Sequence, residues 1–346
     1  FVADHDGKLR VATSTDGVNT SLLYRETEDE EFKTVLTTNF RDTLNPLFFT
    51  YDNKNIYAAS NLGRDKEAIV IFDPREAKEL ELIYDHPQVD VSGLISSDKR
   101  EKITGVAFTA AKRGYKFFDE EREKIQEIIE AKLPDKEVAL VSKNLDEDRY
   151  LVRTFSDRSR GSYYFYDHKT QDLTHLSDIS PWLDEEQLAP MQPVVFQSRD
   201  GLIIPAYLTL PVGVEAKNLP TVILPHGGPW ARDTWGFRPD VQFLANRGYA
   251  VLQINFRGST GYGRKFWELS FKEWGKTMQN DVTDGVNWLI ESGISDPKRI
   301  GVYGASYGGY VVLAGLAFTP DVYACGVDYV GVSNLFTILE TIPPYW

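Results

Sequence analysis

In the first half of the chain, apolar and polar residues alternate in short runs with period two, the pattern of half-buried β-strands. Such runs fall at 8–12, 55–59, 102–106 and 149–153, and Leu9, Ile56, Ile103 and Tyr150 follow one another at intervals of 47 residues. A second set at 22–24, 70–72, 116–118 and 164–166 keeps the same beat, and polar turns such as Asp73-Pro74-Arg75 and Asp167-His168-Lys169 close its strands. A repeat of about 47 residues with about four short strands has the period of a β-propeller blade. A β-sandwich with accidental spacing is the alternative, and two strand families sharing one period over four cycles weigh against it.

The third unit departs from the pattern. Residues 119–133 begin acidic, and Ile125, Ile128, Ile129 and Leu133 recur at helical spacing before Pro134, which predicts a helix inserted between blade strands. Glu120 and Glu121 could serve a substrate amine, but carboxylates at a helix N-terminus oppose the dipole, and a solvated helix start is the preferred reading. Four blades leave two outer edges unpaired, and the pattern places Phe1 inside a blade. Further blades are therefore expected before it.

After an acidic connection at 177–192, the runs at 194–196 and 202–210 read as an antiparallel pair around Arg199-Asp200-Gly201. Beyond residue 220, apolar strands (221–224, 250–255, 300–303, 324–330) alternate with helical patterns (239–247, 265–274, 280–291, 310–318). That alternation predicts a mostly parallel sheet covered on both faces. The resulting fold class is a partial β-propeller of about four blades followed by a partial, doubly wound α/β domain. The boundary is expected at 185/186.

Composition narrows the partners. A net charge of −13 disfavours nucleic acid and anionic membrane surfaces, and no apolar run approaches the roughly 18 residues that span a bilayer. The lone Cys325 lies in an apolar stretch and reads as a buried core thiol. A chain this poor in cysteine favours the cytoplasm. Phosphate-binding signatures are missing from the glycine-rich stretch 255–263, and Asp281 and Asp284 have no third ligand nearby. No cofactor or metal is therefore expected, and the two aspartates read as ion-pair or capping residues.

The candidate chemistry lies at Ser306. The sequence Gly304-Ala305-Ser306-Tyr307-Gly308-Gly309 joins a predicted strand to a predicted helix, which is the Gly-x-Ser-x-Gly nucleophile elbow of an α/β-hydrolase. Tyr307, just after the serine, would lend its N–H to an oxyanion hole. The loop His226-Gly227-Gly228-Pro229-Trp230 follows a strand where such folds place the other donor. Side chains are absent at Gly227 and Gly228, so a main-chain N–H can approach a substrate oxygen there. His226 precedes the serine and is expected to hold this loop by hydrogen bonding, not to act as base. Arg257 is expected to be a structural ion-pair donor near the site. Forty residues follow Ser306 and none is histidine; all five histidines precede it.

The stretches at 226–230 (HGGPW), 255–263 (NFRGSTGYG), 281–289 (DVTDGVNWL), 299–310 (RIGVYGASYGGY) and 327–346 (VDYVGVSN to IPPYW) resemble the prolyl oligopeptidase family of serine peptidases. The likeness is closest to its acylaminoacyl-peptidase and dipeptidyl-peptidase-like branch. It covers most of 190–346, while the first half matches by architecture alone. The resemblance implies a propeller of about seven or eight blades capping the hydrolase. It also implies Ser306 as nucleophile, with Gly228 and Tyr307 as oxyanion donors. In that family an Asp and a His follow the nucleophile further along the chain, as does an arginine that clamps substrate in some members. The expectation is therefore an internal fragment, inactive by itself, of a peptidase acting on short peptides through an acyl-enzyme. Homo-oligomerisation is compatible with this reading. A small-ester carboxylesterase and a non-catalytic propeller scaffold are the rival readings, and exopeptidase against endopeptidase stays open.

Overall fold

The 47-residue beat emerges as four successive antiparallel meanders. The computed structural model describes residues 1–342, apart from the side chain of Ser92. The last four residues of the stretch matched at 327–346 lie outside the described residues. The first meander comprises β1 (Val2–Ala3), β2 (Leu9–Thr15), β3 (Asn19–Tyr24) and β4 (Lys33–Asn39). The second comprises β5 (Leu44–Phe49), β6 (Ile56–Ser60), β7 (Ala68–Asp73) and β8 (Lys78–Tyr84), and the third β9 (Val91–Ser97), β10 (Lys102–Thr109) and β11 (Arg113–Phe117). After α1 (Glu120–Lys132), the fourth comprises β12 (Glu137–Lys143), β13 (Arg149–Phe155), β14 (Ser162–Asp167) and β15 (Asp172–Asp178).

The strands legible in the sequence are the second and third of each meander. Strands β3 and β13 bury alternate residues and β6 and β7 are buried along most of their length, whereas outer strands such as β8 and β15 are largely exposed and carry no clean apolar period. The outermost strand of the first meander is only Val2–Ala3.

Asp119 caps α1, its carboxylate accepting from Arg122 N–H at 2.9 Å. The helix does not sit between strands of one blade as the sequence suggests. It follows the third strand of a three-stranded sheet, and Ile125 and Ile129 pack on Val138, Tyr150, Val152 and Tyr166 of the fourth meander. Glu120 and Glu121 are exposed at the helix start.

Packing divides the chain into two compact units. One comprises Phe1–Phe118 with Gly261–Lys265 and the segment from Asn334 onward, which holds a short helix, α6 (Leu335–Thr341). In it the first and second meanders share a core of Val11, Leu22, Phe49, Ile56, Val70 and Phe72. The second and third meet through Ala59, Ile69, Val91 and Val106. The Gly261–Lys265 segment is held there by Asp65, which accepts from Lys265 N–H at 2.7 Å, and by the Arg264–Asp42 ion pair.

The other unit comprises Asp119–Thr260 and Phe266–Ser333. The fourth meander belongs here because Asp157 Oδ2 accepts from Met191 N–H, and the buried Gln242 amide reaches both Asp157 O and Ala189 O. Its sheet contains β16 (Met191–Gln197), β17 (Ile203–Thr209), β18 (Leu219–Pro225), β19 (Ala250–Ile254), β20 (Ser295–Ala305) and β21 (Cys325–Tyr329). The order is β16-β17-β19-β18-β20-β21, antiparallel over the first two pairings and parallel over the rest.

Period-two alternation assigns the faces. Ile223, Leu252, Ile254 and Val302 point into a core with α4 (Thr277–Glu291) and α5 (Tyr307–Phe318). Leu224, Val251 and Tyr303 face α2 (Pro239–Ala245) on the other side. The apolar stripe of α4 (Val282, Val286, Leu289) is fully buried, each side chain worth about 1.5–3 kcal/mol of transfer free energy. The predicted helix at 265–274 shrinks to α3 (Arg264–Glu268). Cys325 is exposed rather than buried, because β21 is the outermost strand of this sheet.

Candidate active site

Ser306 occupies the single residue between β20 and α5, with φ +56° and ψ −119°. A non-glycine residue in this region is strained, and the contacts around it hold the turn. Ser306 N–H donates to Tyr329 O at 3.0 Å, and its carbonyl accepts from Tyr310 N–H at 3.0 Å to open the helix. The neighbouring glycines are required sterically. A Cβ on Gly304 would run into the main chain of Gly308, and one on Gly308 into Pro225 O. The tight turn exposes the serine: Ser306 is exposed, and its hydroxyl has no hydrogen-bond partner among the described residues.

Tyr307 splits into two roles. Its ring is buried against Trp274 (centroids 4.6 Å) and Phe256 (5.3 Å), and its hydroxyl donates to Met278 Sδ at 3.6 Å. Burial pushes its phenol well above the ordinary range. Its N–H, the first of α5, has no intrahelical acceptor and carries the positive end of the helix dipole beside Ser306.

The loop after β18 lies against the same turn. A Cβ on Gly227 would stand 3.2 Å from Ala305 O and 3.5 Å from Ser306 Cβ, so this position faces the serine turn at close quarters. Gly228 has φ +129°, and a Cβ there would come within 2.7 Å of Trp230 N. His226 anchors the loop: Nδ1 is 2.8 Å from Gly227 O, Nε2 is 2.8 Å from Ser259 Oγ, and the ring stacks on Phe256 at 4.3 Å. Burial lowers its pKa and favours the neutral ring.

Arg257 does not reach the serine. It makes a two-point ion pair with the buried Asp281, and its other terminal nitrogen meets Asp200 at 2.8 Å. Ser198 Oγ bridges Asp281 and Asp284, and Asp284 in turn holds Arg199. The two aspartates are thus ion-pair residues. Asp281 accepts from Arg257, from its main-chain N–H and from Ser198, and these donors oppose the upward pull of burial on its carboxyl. Sequence reading therefore brought together Ser306, Tyr307, His226, Gly227 and Gly228, with Arg257 set behind them. It assigned nothing to Asn255 or Ser259, both fully buried. The available signal was a short polar residue ending an apolar parallel strand.

These features define a class: a mostly parallel sheet covered on both faces, carrying an exposed serine on a strained strand-to-helix turn. Residues 235–344 match the prolyl oligopeptidase family. The chain is 37% identical over 361 residues to dipeptidyl aminopeptidase BIII of Pseudoxanthomonas mexicana, covering all of this chain and 51% of that protein. It is 29% identical over 378 residues to dipeptidyl peptidase family member 6 of Caenorhabditis elegans, again covering all of this chain and 51% of the relative. A puromycin hydrolase crystal structure shares the fold, with TM-score 0.75 and 22% identity over 98% of this chain and 53% of that one. The chain is thus similar to the prolyl oligopeptidase family, and it spans about half the length of the curated relatives it matches.

Proposed function

We propose that Ser306 is the nucleophile of a peptidase that works through an acyl-enzyme, with the N–H groups of Gly228 and Tyr307 as oxyanion donors. The carrying observation is the exposed serine at φ +56°, with Gly227 facing its turn and a helix N-terminus beside it. Each donor aimed at the developing oxyanion contributes about 3–4 kcal/mol in the transition state. The serine proton must pass to a base, and we assign none among the described residues.

Residues 1–185 are read as blades of a propeller that caps the catalytic part, 186–346, and admits short peptides. Two relatives that match along the whole chain are named a dipeptidyl aminopeptidase and a dipeptidyl peptidase family member, which favours release of dipeptides from a free amino terminus. The test is fluorophosphonate labelling of the complete protein, with Ser306→Ala as control, together with turnover of dipeptidyl anilides, acyl-amino-acid anilides and simple esters. Labelling lost in the variant and preference for dipeptidyl anilides support the reading. Absence of labelling points to a non-catalytic scaffold, and preference for simple esters to a carboxylesterase.

A further inference from the structure

One peptide unit of the oxyanion loop is held from behind. The carbonyl of Gly227 and the N–H of Gly228 belong to the same planar group, and this bond is trans, so the two point in opposite directions. His226 Nδ1 lies 2.8 Å from Gly227 O. A carbonyl can only accept, so Nδ1 carries the proton and donates. Fixing this carbonyl fixes the direction of the Gly228 N–H at the far end of the plane. Ser259 Oγ lies 2.8 Å from Nε2 and 2.7 Å from Phe256 O, so the ring and that carbonyl compete for its single hydroxyl proton.

The same short tract holds the rest of the loop. Asn255 uses both ends of its amide on Asp233: Asp233 N–H donates to Oδ1 at 2.7 Å, and Nδ2 donates to Asp233 O at 3.0 Å. Thr260 N–H donates to Ala231 O at 2.9 Å. The loop is thus gripped at residues 226, 231 and 233, on either side of the glycines. Two consecutive glycines have little conformational preference of their own, so their direction must be imposed from outside.

We propose that His226 is a positioning residue that aims the Gly228 N–H through Gly227 O, and that Asn255 holds the loop's far end. This rests on the reading of Ser306 and Gly228 given above. An oxyanion donor works only within hydrogen-bond reach of the developing charge, and losing one lowers kcat by about 10²–10³-fold.

The test uses the complete protein and a dipeptidyl anilide. His226→Leu is expected to lower kcat by about 10²-fold with KM changed less than about threefold. His226→Asn, whose amide nitrogen can still donate to Gly227 O, is expected to recover most of that loss. In the wild type the His226 ring ¹⁵N resonances are expected to be those of the Nδ1–H form. Wild-type kcat in His226→Leu, or ring ¹⁵N resonances of the Nε2–H form in the wild type, would overturn the proposal. If His226→Leu does not fold, the wild-type ring ¹⁵N resonances decide. Ser306→Ala separates the two levels: turnover surviving in it defeats the nucleophile reading, whereas its loss alongside wild-type rates in the other variants defeats only this inference.

Discussion

The Arg257 guanidinium meets the Asp281 carboxylate at two points, Nε to Oδ2 at 2.8 Å and a terminal nitrogen to Oδ1 at 2.7 Å, with Asp281 wholly buried. The pair ties the tract after β19 to α4, and that tract in turn grips the loop carrying Gly227 and Gly228. An ion pair that never touches the serine thereby sets the backbone around it.

Breaking this pair from the arginine side leaves a buried, uncompensated carboxylate. Arg257→Leu is expected to destabilise its unit by about 3–5 kcal/mol. Asp200→Ala removes the half-exposed partner and is expected to cost less than about 1 kcal/mol. Urea unfolding of the two variants measures the contrast, and equal costs would show that the buried contact is not the one that matters.

Glycines separate into those needed for conformation and those needed for space. Gly248 has φ +88° with nothing near its missing side chain, so Gly248→Ala is expected to cost about 1–2 kcal/mol. Gly308→Ala would drive a methyl group into Pro225 O between the two loops of the site. It should be far more destabilising and abolish phosphonate labelling. Soluble yield and labelling rate together check this.

His226 gives stability a proton dependence of known sign. Its folded pKa lies below its ordinary value because burial disfavours the charged ring, while in the unfolded chain it protonates near about 6.5. Below that pH the unfolded chain binds a proton that the folded one does not. This contribution is therefore fully present above about pH 6.5, is lost as the pH falls toward the folded pKa, and is constant below it. Between about pH 7.5 and pH 5.5 the wild type should lose more stability than His226→Asn. Parallel losses would count against a buried neutral ring.

Tyr307 should be dispensable as a phenol. Its hydroxyl meets only Met278 Sδ, at 3.6 Å, and the proposed donor is its main chain. Tyr307→Phe should leave phosphonate labelling unchanged and cost no more than about 1 kcal/mol. A tenfold slower labelling rate would mean that the side chain takes part.

Much was legible locally. The period of 47 residues marked the second and third strands of the meanders, because most of those strands bury apolar residues. Gly304, Ser306 and Gly308 marked the turn, because its steric demands fall on neighbours in the chain. The outer strands escaped notice because exposure removes their apolar period. The placement of α1 and the exposure of Cys325 were misread because both depend on what lies beside them in space, which spacing along the chain does not record.

The sequence by itself determined the alternation of strands and helices, the exposed-serine turn and the glycine loop, since hydrophobic periodicity and backbone sterics act over a few residues. Only the tertiary structure decided that Asn255, Ser259 and Arg257 converge behind that loop. Their partners Asp233, His226, Asp200 and Asp281 come from separate strands, loops and helices, and hydrogen-bond and ion-pair geometry exists only once the sheet has brought them together.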